Sequence, residues 1–151
     1  MKRTLLLVAA AVAAALVVAQ LTAAQADSRL QVGESIHFVG PGTTAGTFAA
    51  SGAVNDSGTV ISHSTNTVGN NGEQRLAGTL TLTGAKGSIT EEFEGTITGA
   101  APHVAARGHF RIVAGTGAYA SLRGNGKFLV VVDFSTNQLI RTDDGEAEGE
   151  D

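Results

Sequence analysis

Glu91 is the residue whose surroundings promise the most chemistry. Alternate positions around it, Ile89, Phe93 and Ile97, are apolar, while Glu92 and Glu94 fall on the opposite phase. A carboxyl on that apolar face loses hydration, and its pKa rises into the range where it donates or shares a proton. The competing reading turns Glu91 outward at a bulge, or leaves it at a wet rim, because buried unpaired carboxylates are rare. His63 is a candidate partner if the turn at Asn55-Asp56-Ser57-Gly58 keeps a four-residue register. An exposed or hydrogen-bonded histidine is the ordinary alternative. His37, His63, His103 and His109 have no metal-ligand spacing, and none of the serines has a readable base partner. With no cysteine in the chain, thiol catalysis and cysteine-ligated metals are excluded. No metal site is expected.

Gly115-Thr116-Gly117-Ala118-Tyr119-Ala120 fits the G-x-G-x-x-A dinucleotide fingerprint. That motif works only between a strand and a helix whose N-terminus faces pyrophosphate. Gly124 and Gly126 end any helix within two turns, and a strand follows. No cofactor is expected.

The elements that must position Glu91 are readable from turns and alternation. Leu76, Leu80 and Leu82 share a face with Gly78, and Gly84-Ala85-Lys86-Gly87 forms a four-residue turn. Thr83 then opposes Ser88, Leu82 opposes Ile89, and Gly78 opposes Phe93. A second turn at Gly99-Ala100-Ala101-Pro102 sets Thr98 against His103, Ile97 against Val104, Phe93 against Gly108 and Ile89 against Ile112. Outside, Glu94 meets Arg107 and Glu92 meets His109. The two hairpins agree on both faces, and a one-residue slip would invert every side chain.

Next come a strand from His109 to Val113, a glycine-rich corner, and a strand from Phe128 to Phe134. Tyr119 and Leu122 are the only large apolar groups of that corner, so they fold inward and plug one end. The inner face gives the candidate ligand-binding set: Leu80, Leu82, Glu91, Phe93, Phe110, Ile112, Tyr119 and Leu122. Leu129 and Val131 share the outward face of Asp133, an apolar strip that suits a homo-oligomer contact. Earlier strands are expected at Leu30–Val32, Ser35–Val39, Thr47–Val54 and Thr59–His63, with a polar loop from Ser64 to Glu73.

Lys2 and Arg3, an apolar run from Leu5 to Ala19, and Ala24-Gln25-Ala26 form the anatomy of a cleaved signal peptide over residues 1–26. The run is shorter than the roughly 20 apolar residues that span a bilayer. We therefore expect a secreted protein, extracellular or on the outside of the envelope, with no membrane span after cleavage. Residues 27–141 carry eight bases and eight acids and form the domain. Residues 142–151 carry six acids and no base, which reads as a disordered acidic tail. No basic patch exists for nucleic acid.

A glycine-threonine-apolar pattern recurs at Gly46-Thr47-Phe48, Gly78-Thr79-Leu80 and Gly95-Thr96-Ile97, at irregular spacing. With 20 glycines, 2 prolines and no helix-length periodicity after Asp27, the chain is all-β. A long meander leaves two exposed edges unless it closes, so a single antiparallel barrel is expected.

The stretch Phe110-Arg111-Ile112-Val113-Ala114-Gly115-Thr116-Gly117-Ala118-Tyr119, followed by Arg123-Gly124, resembles the late strand-and-corner motif of the allene oxide cyclase and dirigent superfamily. Ala114 stands where a glycine is usual, and a catalytic cysteine of the cyclases has no counterpart. The resemblance implies a calycin-like barrel of about eight strands with a ligand cavity at one end, often assembled into dimers or trimers. Three functions follow: a barrel binding a small apolar molecule, a cyclase-like or dirigent-like catalyst with Glu91 as polar participant, or an extracellular scaffold with a filled interior.

Overall fold

A computed structural model describes residues 28–149; the expected signal peptide lies outside the described residues. The chain runs through eight strands: β1 (Arg29–Gly40), β2 (Thr43–Gly52), β3 (Asp56–Val68), β4 (Gln74–Gly84), β5 (Ser88–Ala100), β6 (His103–Gly115), β7 (Leu122–Asp133) and β8 (Gln138–Gly149). Each is antiparallel to its neighbour in sequence, and β8 pairs back to β1, closing an all-β barrel with no free edge. Period-two alternation does the sorting. Leu30, Val32, Glu34 and Ile36 point inward from β1, and Phe128, Val130 and Val132 from β7, while their neighbours face water.

The β4–β5 hairpin has the register its turn predicts, with Leu82 opposite Ile89 and Gly78 opposite Phe93. The β5–β6 hairpin differs by two residues. Ala100 pairs with His103 around a two-residue turn at Ala101-Pro102, so Phe93 faces Phe110, Glu94 faces His109, and Glu92 faces Arg111. A shift of two keeps every side chain on its own face, and the apolar pattern could not detect it. That register holds as far as Glu91 opposite Ile112, and a bulge between Thr90 and Glu91 then sets Thr90 opposite Ala114 and Ile89 opposite Gly115.

The acidic C-terminal run is a correction. Residues 138–149 form β8, hydrogen-bonded on both flanks, so the domain extends past Arg141 and no disordered tail begins at Thr142. Asp143 and Ala147 point inward, while Asp144, Glu146 and Glu148 point outward among cations. Arg29 Nη2 lies 3.6 Å from Asp144, Lys127 stands opposite Asp144, and Arg123 stands opposite Glu148. Two ladders and facing bases overcome the self-repulsion that composition suggests.

One end of the barrel is sealed. A single 3-10 turn, Gly117–Tyr119, folds Tyr119 inward over Leu122, and both side chains are buried. Gly117 has φ of 60°, a left-handed value that glycine adopts without strain. The Tyr119 hydroxyl donates to Asp56 Oδ2 at 2.8 Å, and Asp56 also accepts from the backbone N–H groups of Ala85 and Lys86. Burial, then this bond, pushes the phenol up to about 12. Because Tyr119 is the sole tyrosine, a phenolate absorbance titration reports it alone. We expect a midpoint about two units above the free value near 10. A midpoint near 10 with the fold intact would mean the plug is open.

Candidate functional site

The other end is open. The β1–β2, β3–β4, β5–β6 and β7–β8 connections surround a mouth, beneath which lies a cavity of about 420 Å³. Its walls are mostly apolar, with Ile36, Leu76, Leu80, Phe93, Val130 and Leu139 among them. Thr44 and Ser62 add one polar rung, their hydroxyls 2.8 Å apart. At the rim, Phe38 and Phe134 stack with ring centroids 5.6 Å apart. Asn137 clamps the backbone of Phe38 from both sides, accepting from its N–H and donating to its carbonyl.

Glu34 and Arg141 reach the cavity at its floor. Around Arg141, three carboxyls converge from three strands. Asp143 accepts a hydrogen bond from Arg141 Nε at 2.9 Å, while Glu34 and Glu91 approach the guanidinium to 3.8 Å. The carboxyl groups are fully buried, and Arg141 is nearly so. The guanidinium sits in the angle of a T-shaped ring pair, 4.5 Å from the Phe93 centroid and 4.4 Å from that of Phe128. Desolvated cation–π contacts of this kind are worth about 2 kcal/mol.

Two glycines make room for those rings. A Cβ on Gly78 would meet the His63 carbonyl and stand 2.9 Å from Phe93 Cζ. One on Gly95 would meet the Arg107 carbonyl and stand 2.9 Å from Phe128 Cζ. The recurrent glycines of β4 and β5 therefore admit the aromatic corner that holds the cation.

The charges do not balance if all four groups ionise, and the environment resolves this by protonation. Burial, then the Asp143 charge, raises Glu34 to about 8, with Arg141 opposing. Burial, then Asp143, likewise raises Glu91 well above its ordinary value. Burial raises Asp143 too, but attraction to Arg141 and their hydrogen bond pull against it. Burial would lower Arg141; its three carboxyl neighbours outweigh that and raise it. The consistent state at neutral pH has an Arg141–Asp143 ion pair with Glu34 and Glu91 neutral. As ionised acceptors, both oxygens of Glu34 and of Glu91 and Asp143 Oδ2 have no donor. Protons on the two glutamates supply donors, with the Asp143 carboxylate as their common acceptor.

Compared with known proteins, the chain matches no family model and no curated sequence.

Of the residues expected to bind, Leu80 and Phe93 line the cavity. Leu82, Phe110, Ile112, Tyr119 and Leu122 are buried but are not among its lining residues. Glu91 points inward against Arg141, and it too is absent from the lining. His63 corrects the expectation made for it. It is exposed on the outer face, its Nδ1 3.2 Å from Thr43 Oγ1, because β3 turns Val60 and Ser62 inward instead. It does not meet Glu91. Val131 is exposed on the outer face with Ile140 opposite, while Leu129 is half-buried.

The residues the sequence reading missed are Glu34, Arg141 and Asp143. Glu34 lies in phase with Val32 and Ile36, and that alternation was its available signal.

Proposed function

We propose that the chain is a secreted barrel of the allene oxide cyclase and dirigent superfamily that binds a small, largely apolar molecule. The single observation that carries the reading is the cavity, sealed below, open above and walled by apolar side chains. Its volume falls in the roughly 300–1,000 Å³ range of small-molecule sites. Export rests on the signal-peptide anatomy of residues 1–26, and the family on the Phe110–Tyr119 motif. In this reading the interior charge cluster serves binding, its guanidinium held by Asp143 and by the Phe93 and Phe128 rings.

The test uses mature protein purified from culture medium. Solvent extraction and mass spectrometry should find a retained small molecule, or the emptied protein should take up a neutral dye such as Nile red. Ala106 lines the cavity wall and is buried. Ala106→Phe should fill the space and weaken dye uptake roughly tenfold or more, with the far-UV spectrum unchanged. A protein that carries nothing and binds no probe would end the proposal.

Cyclase-like or dirigent-like activity is the second reading, favoured by a neutral carboxyl at the cavity floor. That carboxyl is Glu34 rather than Glu91, since Glu34 reaches the cavity. A purely structural scaffold calls for a lumen packed to native density, and the cavity speaks against it.

A further inference from the structure

We propose that Glu34 makes the cavity selective for apolar molecules with a cationic amine head. The inference rests on the binding reading above and names the class of ligand.

Glu34 lines the cavity, its side chain is fully buried, and neither of its oxygens has a hydrogen-bond donor. Arg141, which shares the floor, donates through Nε to Asp143 at 2.9 Å and is flanked by two aromatic rings, while its Nη2, 3.8 Å from Glu91, makes no hydrogen bond. A ligand carboxylate arriving there would enter a site where three acids already surround one base. An ammonium would meet a carboxyl free to ionise: once Glu34 gives up its proton, the ligand supplies the charged donor that its oxygens lack.

The charged and titratable groups facing Glu34 are Arg141 and Asp143 from β8 and Glu91 from β5. The inward residues of the other strands are uncharged, including Thr44 and Phe48 of β2, Ser62 of β3, Leu80 of β4, Phe110 of β6 and Phe128 of β7. No other described side chain offers a cation to Glu34. The apolar wall then receives the hydrocarbon part, with its outer end toward the mouth.

The proton balance is simple. An alkylammonium binds a protein whose Glu34 is neutral, the Glu34 proton leaves to solvent, and an ammonium–carboxylate pair remains. Amine binding therefore strengthens as pH rises toward about 8. A neutral ligand that accepts a hydrogen bond from Glu34 would weaken over the same range.

The test displaces Nile red with decylamine, decanol and decanoate below their micellar concentrations, using the full mature chain. Near pH 8 we expect decylamine to bind roughly tenfold more tightly than decanol, with decanoate weakest. Calorimetry near pH 7 in buffers of different ionisation enthalpy should show release approaching one proton per decylamine bound. Glu34→Gln should erase the difference between amine and alcohol. Equal binding of decylamine and decanol, stronger binding of decanoate, or amine binding without proton release would each overturn the proposal. The proton measurement needs no variant, so it stands even if Glu34→Gln fails to fold. Binding of decanol and Nile red without amine preference would remove this inference alone. Failure of every probe, the dye included, would remove the binding reading with it.

Discussion

Arg141→Met should cost about 3–5 kcal/mol of folding stability at neutral pH. Arg141 is the only cation buried among the described residues, and it faces three carboxyls. Methionine keeps much of the apolar stem but removes the charge beside Asp143 and empties the angle between Phe93 and Phe128. Two effects compete. Replacing a whole buried ion pair by apolar groups is often neutral, whereas removing one member leaves its partner buried and uncompensated. The second wins here because Asp143 stays behind. Its carboxylate must then take up a proton, which is easier in acid, so the loss should shrink near pH 5. Urea denaturation of both proteins at the two pH values measures this. Arg141→Met combined with Asp143→Leu should recover much of the stability at neutral pH. A loss under about 1 kcal/mol, or one independent of pH, would mean that the guanidinium does not hold the cluster together.

The same cluster shows what a single sequence reveals and what it hides. The all-β barrel was legible because glycine corners and two-residue alternation constrain each other. The β4–β5 register followed from one turn, and Glu91 fell inward because its phase matched Ile89 and Phe93. The β5–β6 register was hidden, since a shift of two leaves the alternation unchanged. Glu34 was hidden by Gly33 and Ser35, which break the apolar texture of β1 and divide one strand into two apparent ones. Arg141 and Asp143 were hidden more deeply. They alternate with Leu139 on the inward phase, but the surrounding acids resemble a solvated tail. What makes that segment a strand is not in its composition. It is the arrival of β1 and β7 on its two sides, with Arg29, Lys127 and Arg123 beside the outward acids. Charge compensation between distant segments is a tertiary fact, and local reading does not reach it.

Stability should fall as pH rises from about 4.5 to about 8, the reverse of ordinary acid denaturation. Glu34 has an ordinary value of 4.5 and a folded value of about 8. Below 4.5 both folded and unfolded chains hold the proton, and the contribution is complete. Between the two values only the folded chain holds it, so each pH unit removes about 1.4 kcal/mol. Above about 8 nothing more is lost. The whole span amounts to about 5 kcal/mol from Glu34 alone, and Glu91, also raised by burial, acts in the same direction. Asp56, lowered chiefly by its bond from Tyr119, and Asp133, lowered chiefly by Ser135, act oppositely. Their support is present above their ordinary value of 3.8 and is lost as pH falls below it, outside the Glu34 window. Glu34→Gln keeps an N–H donor for Asp143 while removing the titration. The variant should therefore flatten the profile, matching the parent near pH 4.5 and exceeding it by several kcal/mol near pH 8. Urea midpoints across that range decide the matter, and a parent profile that is flat or rising would sink it. A bound ammonium neutralises the same buried charge, so a long-chain amine should stabilise the parent most where Glu34 is ionised and do far less for Glu34→Gln.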